Sequence, residues 1–327
     1  MSKQSWYHTL VTGLLVAGSL ISTAVFAQND YPARPIKIVV GYPPGGSVDA
    51  LARIIADGLS PRLKVPIVID NVAGATGAIG AQKVANSAPD GYTLIIGSSN
   101  EMVATALLNP AQKYDPLKDF TPVAVIATAP VMLVTGERTG IKNLNNFIEV
   151  VKRNPGKFSY GSSGVGSLLH FSGELLKEQA KLLITHVPYR GTAGLSSDLA
   201  GGSIEFAMMS PTAVAPFLQN GRIVALGITS RTRDPSYPNV PALDEHPALK
   251  GFEMVGWFGL AGPKAMPAHI SNKLNQALQA TLLDETTRKR VVDIGMSAAT
   301  DKESMPAMMA ADTAKFRQLI KAAHINE

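Results

Sequence analysis

Ile36-Lys37-Ile38-Val39-Val40-Gly41-Tyr42-Pro43-Pro44-Gly45-Gly46-Ser47-Val48-Asp49 is the stretch that decides the fold. Its apolar, β-branched start reads as a strand buried on both faces, and it ends in a stiff Pro- and Gly-rich loop. A helical pattern follows at once, with Val48, Leu51, Ile54, Ile55 and Leu59 at helical spacing. Ser47 is its expected N-cap, and Asp49 falls in the first turn, where a carboxylate complements the helix dipole. A strand that turns directly into a helix is the first half of a parallel crossover unit. Such corners sit at the carboxyl ends of strands, where open α/β sheets bind ligands.

The same pattern returns five more times. Residues 65–69 lead into Gly74-Ala75-Thr76-Gly77, 94–96 into Gly97-Ser98-Ser99-Asn100, and 158–160 into Gly161-Ser162-Ser163-Gly164. Residues 184–189 lead into Gly191-Thr192, and 206–209 into Ser210-Pro211-Thr212. Each corner offers backbone N–H groups at a helix start, which favour negative charge. None carries the Cys, His, Asp and Glu set that bond-breaking chemistry usually needs. The expectation is a site that holds an anion without transforming it.

Outward from these corners the chain divides in two. Strands at 36–40, 65–69 and 92–96 alternate with helices from Ser47 and over 77–86, a βαβαβ order that implies a parallel sheet. Apolar runs at 123–127 and 131–134 flank Pro130 and read as strands crossing out of this unit. A second α/β set starts at Leu144, whose helix carries Leu144, Phe147, Ile148 and Val151 on one face. Strands at 158–160, 183–187, 204–208 and 223–228 then alternate with helices at 167–179, 194–200 and 212–220. Residues 231–247 contain four prolines and read as a surface connection. An apolar stretch at 252–260 precedes helices at 271–283, 285–294 and 305–323, which are placed on the first lobe. The result is an α/β chain with lobe 1 over 28–128 plus 253–327 and lobe 2 over 129–252. Each lobe is a central sheet flanked by helices, and crossovers near 127–130 and 254–257 form a double hinge over a cleft.

Composition narrows the function. Of 327 residues 46% are hydrophobic and only 17% charged, which excludes a disordered chain. The net charge of +5 comes from scattered basic residues, so there is no stripe for nucleic acid, and a mild positive surplus suits an acidic ligand. The absence of cysteine removes thiol nucleophiles, Cys-bound zinc, iron–sulfur clusters and a lipid tether. Residues 1–27 read as an export signal: Lys3, a Gly/Ser-interrupted apolar run over 10–25, Val25-Phe26-Ala27 for cleavage, then polar Gln28-Asn29-Asp30. The run is too short and interrupted for a membrane anchor, and no later stretch is long and apolar enough to span. A soluble protein outside the cytoplasm is expected, and a monomer would fit a freely diffusing carrier.

Enzyme chemistry finds little support. No Gly-Lys-Ser/Thr follows Gly45-Gly46-Ser47, so it is no P-loop, and no metal-ligand spacing or cofactor motif is present. Gly161-Ser162-Ser163-Gly164 misses the hydrolase Gly-x-Ser-x-Gly elbow by one residue. His170, His186, His246 and His269 show no orienting carboxylate nearby in sequence, and His170 reads as a packing or hydrogen-bonding residue. Tyr42 and Tyr189 either line a pocket or pack at loop bases. Trp257-Phe258 reads as hinge or core, and Met305-Pro306-Ala307-Met308-Met309 as core.

Taken together, several strings resemble one family. Tyr31-Pro32-Ala33-Arg34-Pro35-Ile36-Lys37 leading to Gly45-Gly46-Ser47-Val48-Asp49 is similar to the start of the Bug receptors, the solute-binding proteins of tripartite tricarboxylate transporters. So are Asn71-Val72-Ala73-Gly74-Ala75-Thr76-Gly77, Ala88-Pro89-Asp90-Gly91-Tyr92-Thr93-Leu94, Tyr114-Asp115-Pro116 and Asp119-Phe120-Thr121-Pro122-Val123. In the second half Asn154-Pro155-Gly156-Lys157-Phe158, Tyr160-Gly161-Ser162-Ser163-Gly164-Val165-Gly166, His186-Val187-Pro188-Tyr189 and Trp257-Phe258-Gly259-Leu260 match as well. The resemblance implies a two-lobed, type II-like periplasmic binding protein that closes like a flytrap on a small organic carboxylate and delivers it to membrane permease subunits. A signalling receptor as partner, or a periplasmic Ser/His hydrolase, are the alternatives.

By position the resemblance assigns Tyr42, Gly45, Gly46, Ser47, Ser98, Ser99 and Asn100 of the first lobe to the ligand. From the second lobe it assigns Ser162, Ser163, Gly166, Tyr189, Gly191, Thr192 and Ser210. Many relatives carry Asp-Asn where this chain has Met209-Ser210, so an ammonium group would lack its acidic partner here. That favours a plain mono- or dicarboxylate, aliphatic or aromatic. Arg190 stands where relatives tend to have Lys.

Overall fold

β1 (Ile36–Val40) forms where the apolar run lies, with Ile36, Ile38, Val39 and Val40 all buried. The structure, a computed structural model, describes residues 31–109, 112–300 and 302–325. The expected export signal over residues 1–27 lies outside the described residues.

β1 is paired in parallel with β2 (Ile67–Asn71) on one side and β3 (Thr93–Ser98) on the other. The crossovers are α1 (Ser47–Leu63) and α2 (Ala78–Ala85), as the βαβαβ pattern requires. Val48, Leu51, Ala52, Ile54, Ile55 and Leu59 bury the inner face of α1, and Lys64 closes it in the left-handed region at φ 59°. Ser47 is not the N-cap expected from the sequence. Gly46 caps the helix with extended backbone and no side-chain bond, and Ser47 is the first helical residue.

β3 turns into a helix after the corner at 97–100, as expected, first as a π-helical turn, Asn100–Ala104, and then as α3 (Thr105–Leu108). The sheet then gains β4 (Phe120–Pro130), β10 (Val255–Pro263) and the two-residue β11 (Ser297–Ala298). Its order is β11-β4-β10-β3-β1-β2, with β10 antiparallel to both β3 and β4. β4 is one strand of 11 residues, longer than the run at 123–127 suggested, because pairing with β10 carries it through Pro130.

The second sheet, in the order β7-β6-β8-β5-β9, holds β5 (Met132–Gly136), β6 (Ser159–Ser162), β7 (Thr185–Pro188), β8 (Phe206–Met209) and β9 (Ile223–Ile228). β6 is parallel to β7 and β8, and β5 is antiparallel to β8 and β9. Its helices are α4 (Leu144–Arg153), α5 (Leu168–Ala180), α6 (Thr192–Gly201) and α7 (Pro211–Gln219). The tail forms α8 (Ala268–Leu283), α9 (Glu285–Asp293) and α10 (Met305–Ala322).

α8 and α9 belong with the first sheet: Asn275 Nδ2 donates to the Val123 carbonyl at 2.9 Å, and Arg290 pairs with Asp57 on α1 at 2.9 Å. α10 serves both halves. Trp257 Nε1 on β10 donates to its Asp312 at 2.8 Å, while its Phe316 stacks on Phe171 of α5 with ring centres 4.3 Å apart. Met305 and Met309 are buried, as expected of core residues.

The chain passes between the sheets at Val131 and again between β9 and β10. Thr229, fully buried, ties the two passages together. Its hydroxyl accepts from the Val131 N–H at 2.7 Å, its own N–H donates to the Val131 carbonyl at 2.9 Å, and its carbonyl accepts from the Met254 N–H at 3.0 Å. Residues 34–327 form one compact unit. Thr229→Val keeps the shape but leaves the buried Val131 N–H without a partner. Chemical denaturation is expected to show a loss of roughly 1–3 kcal/mol.

Candidate functional site

The glycine-rich ends of β1 and β3 and the start of α6 open onto a cavity of about 570 Å³. Tyr42, Gly46, Ser47, Ser98, Ser99 and Asn100 line it from the first sheet's corners, and Gly191 and Thr192 from the second sheet's corner. These are eight of the residues assigned from the sequence. Leu168 and the β10 residues Gly256, Trp257 and Phe258 complete the wall, with Pro43, Pro44 and Val48. Trp257 and Phe258 are buried as core residues should be, yet they also face the cavity, which the reading as hinge or core did not include.

The other six assigned residues hold their loops together away from the cavity wall. Gly45, at φ 82°, gives its N–H to Asp49 Oδ2 at 2.9 Å. Ser162 is fully buried, with its oxygen 2.7 Å from His186 Nε2. The Ser163 carbonyl accepts from the Gly191 N–H at 3.3 Å. Gly166, at φ 74°, donates to His170 Nδ1 at 3.1 Å, and a Cβ there would sit 2.2 Å from Leu108 Cδ1. Tyr189 spends its hydroxyl on Asp198 at 2.8 Å, and burial pushes that phenol up to about 12. Ser210 caps α7 through its backbone. The corner Gly74–Gly77 also stays off the cavity wall; the Thr76 carbonyl lies 3.3 Å from the Tyr42 hydroxyl oxygen.

The lining contains no Lys, Arg, His, Asp or Glu side chain. Its donors are hydroxyls and backbone N–H groups at the starts of α1 and α6. Among the described residues no hydrogen bond engages the hydroxyls of Ser47, Ser99 and Thr192. The first N–H groups of a helix likewise have no partner within it, and the macrodipole makes them favourable for an anion.

Two carboxylates shape this wall: Asp49, expected only as a charge in the first turn of its helix, and Glu101, which the sequence reading passed over. Asp49, buried on α1, accepts two bonds from Arg53 at 3.0 Å, one from Asn71 Nδ2 at 3.0 Å and one from the Gly45 N–H at 2.9 Å. The Arg53 bonds above all pull its carboxyl down to about 2. Glu101 is wholly buried behind the cavity wall. Its Oε1 accepts from the Ser98 N–H at 2.8 Å, and its Oε2 accepts from the Tyr42 hydroxyl at 2.8 Å and from the Ser98 hydroxyl. Burial pushes the Glu101 carboxyl up, and the bonds from Ser98 and Tyr42 oppose that shift. The signal was present: Ser98-x-x-Glu101 before Met102-Val103 is a capping-box pattern.

His170 and His186 stack with ring centres 3.9 Å apart. His170 Nε2 lies 3.8 Å from Glu174 Oε1, so a carboxylate does stand beside it in the structure. Glu174 is already taken by Lys177 at 2.8 Å and the Tyr160 hydroxyl at 2.7 Å. The short Ser162–His186 contact resembles a nucleophile–base pair, but Ser162 is fully buried and off the cavity wall. Among the described residues no group of three or more His, Asp or Glu could hold a metal ion.

Burial pushes both histidines down to about 4, so they are neutral in the fold, whereas in the unfolded chain they take up protons near pH 6.5. Unfolding therefore absorbs protons between these values, and stability falls as pH drops from about 6.5 to 4. For the buried His170 that loss is on the order of 2–3 kcal/mol. Thermal melts across this range should show the decline, and His170→Gln should flatten it.

The family model described as tripartite tricarboxylate transporter family receptor matches residues 51–325. BugT of Bordetella pertussis is 35% identical over 280 residues, covering 84% of this chain and 85% of BugT. Among solved structures, an R. palustris protein with adipate has 33% identity and a TM-score of 0.78, covering 90% of this chain and 98% of that one. MatC from Rhodopseudomonas palustris, with bound malate, has 32% identity and a TM-score of 0.74, covering 89% of this chain and all of its own. The periplasmic binding protein BugD has 30% identity and a TM-score of 0.75, covering 90% and 99%. Among the described residues no helix is long and apolar enough to cross a membrane.

Proposed function

Because the chain belongs to the tripartite tricarboxylate transporter receptor family, we propose that it is a periplasmic receptor that captures a small organic carboxylate in the 570 Å³ cavity. It acts as a monomer, exported by the signal over residues 1–27, and hands its ligand to membrane permease subunits. The observation that carries this reading is the chemistry of the wall. Three uncommitted hydroxyls, on Ser47, Ser99 and Thr192, and the N-terminal N–H groups of α1 and α6 converge on one cavity without a charged side chain.

A carboxylate stripped of water costs several kcal/mol unless each oxygen is hydrogen-bonded. Bonds from neutral donors to a charged acceptor return about 1.5–3 kcal/mol each, so three or four support micromolar binding after ordering costs. Ser47 and Ser99 stand on the first sheet's side, within lobe 1 (28–128 plus 253–327). Thr192 stands on the second sheet's side, within lobe 2 (129–252). An anion held by both sets favours the arrangement in which the lobes are together, which is closure by population shift. The receptor returns its ligand unchanged, since the wall offers no base or nucleophile aligned for attack.

Calorimetry with succinate, L-malate, adipate, benzoate and phenylacetate tests the reading. For whichever acid binds best, Ser47→Ala and Thr192→Val are each expected to weaken binding tenfold or more with unchanged melting temperature, the equivalent of about 1.5 kcal/mol. Ser163→Ala should stay within about twofold of wild type. Unchanged affinity in both cavity variants removes these residues from the site.

A further inference from the structure

We propose that the cavity holds, beside its carboxylate-binding donors, an accepting subsite formed by the Tyr42 and Ser98 hydroxyl oxygens with Glu101 behind them, and that this subsite selects a carboxylate bearing a hydroxyl group. The proposal rests on the carboxylate reading above and specifies the ligand class within it.

A hydroxyl has one proton to give and two lone pairs to receive with. Tyr42 directs its proton to Glu101 Oε2 at 2.8 Å, the shortest of its contacts; the Ser98 hydroxyl oxygen at 3.2 Å and the Thr76 carbonyl at 3.3 Å lie farther off. Ser98 directs its proton to the same Glu101 oxygen. Three donors meet that carboxylate, counting the Ser98 N–H at 2.8 Å, so it accepts from every side. Both hydroxyls line the cavity and have no proton left to offer into it. What they present to a ligand is lone pairs.

Those lone pairs are only lightly used. The Asn100 N–H approaches Ser98 Oγ at 3.3 Å, and Asn100 Nδ2 approaches the Tyr42 oxygen at 3.5 Å. A carboxylate placed against them meets oxygen lone pairs and finds no proton to share. A ligand O–H placed there completes a chain, from ligand hydroxyl to Tyr42 or Ser98 and on to Glu101. The wall is therefore split by chemistry: Ser47, Ser99 and Thr192 donate, Tyr42 and Ser98 accept.

Hydroxyl rather than ammonium follows from the same geometry. Glu101 is wholly buried, covered by the two hydroxyls it binds, and no acidic side chain lines the cavity. An ammonium would give up its hydration for two neutral oxygens, which does not offset its desolvation. Val48, Leu168, Trp257 and Phe258 supply an apolar wall for the hydrocarbon body between the two polar ends.

Glu101 is a positioning residue in this scheme, and matched pairs of acids test it. Calorimetry of the purified protein with L-malate against succinate, 2-hydroxyadipate against adipate, and mandelate against phenylacetate reads the value of one hydroxyl. The hydroxylated member is expected to bind at least tenfold tighter in the best-binding pair. Glu101→Gln places an amide donor behind Tyr42 and Ser98 and releases one of their protons. The ratio should then collapse towards one, while the plain acid stays within about threefold or binds better. Tyr42→Phe should lower the ratio in the same direction and serves if Glu101→Gln fails to fold. Equal or tighter binding of the plain acid by the unaltered protein overturns the inference alone. So does a ratio that survives both variants, or L-aspartate binding tighter than L-malate. If none of the acids binds, the carboxylate reading falls, and this inference with it.

Discussion

Glu101 is a carboxyl group wholly buried behind the cavity wall, and the first sheet's side of the cavity is arranged around satisfying it. Burying an unpaired charge is among the costliest things a fold can do, so its three donors are fixed rather than incidental. Two glycines of the neighbouring corners leave the space it occupies. A Cβ on Gly77, at φ 90°, would lie 3.0 Å from the Glu101 carboxyl carbon, and one on Gly41 would lie 2.6 Å from Gly77 Cα. The Gly74–Gly77 corner thus makes room for a side chain from the next strand's end, and its N–H groups are not aimed at a ligand.

Asp49 does the matching work on the other loop. It binds the Gly45 N–H and shares Asn71 with Tyr42, since Asn71 Nδ2 donates both to Asp49 Oδ1 and to the Tyr42 carbonyl, each at 3.0 Å. The loop over 42–49 is therefore fastened at both ends before any ligand arrives. Its Pro43-Pro44 pair adds stiffness, because proline fixes φ. A loop already ordered loses little entropy on binding, which leaves more of each hydrogen bond for affinity.

The order of elements was legible in the sequence because β-branched runs and helical spacing are local signals. Ile36–Val40, Leu144–Arg153 and the tail helices lie where those signals put them, within a few residues. Corners at Gly46-Ser47, Ser98-Ser99-Asn100 and Gly191-Thr192 were legible for the same reason, and the structure gathers them on one cavity. What was not legible depends on partners distant in sequence. Nothing local shows that Tyr189 turns to Asp198, that Ser162 is sealed under His186, or that α10 reaches Phe171 in the other half. The helix start after Ser98 was legible as one of the six corners, but the role of Glu101 behind it was not, although its capping pattern was there.

An uncharged wall also bears on how closure is driven. A fixed Arg or Lys on one lobe would hold an anion in the open form, and a ligand bound equally well in both forms shifts nothing. Neutral donors divided between Ser47 and Ser99 on one side and Thr192 on the other give most of their stabilisation only when both sides reach the anion. In the closure proposed above, the differential affinity therefore comes from dispersing the donors. In that closure the two chain passages between the sheets bend together, because Thr229 links them through three hydrogen bonds at one buried residue.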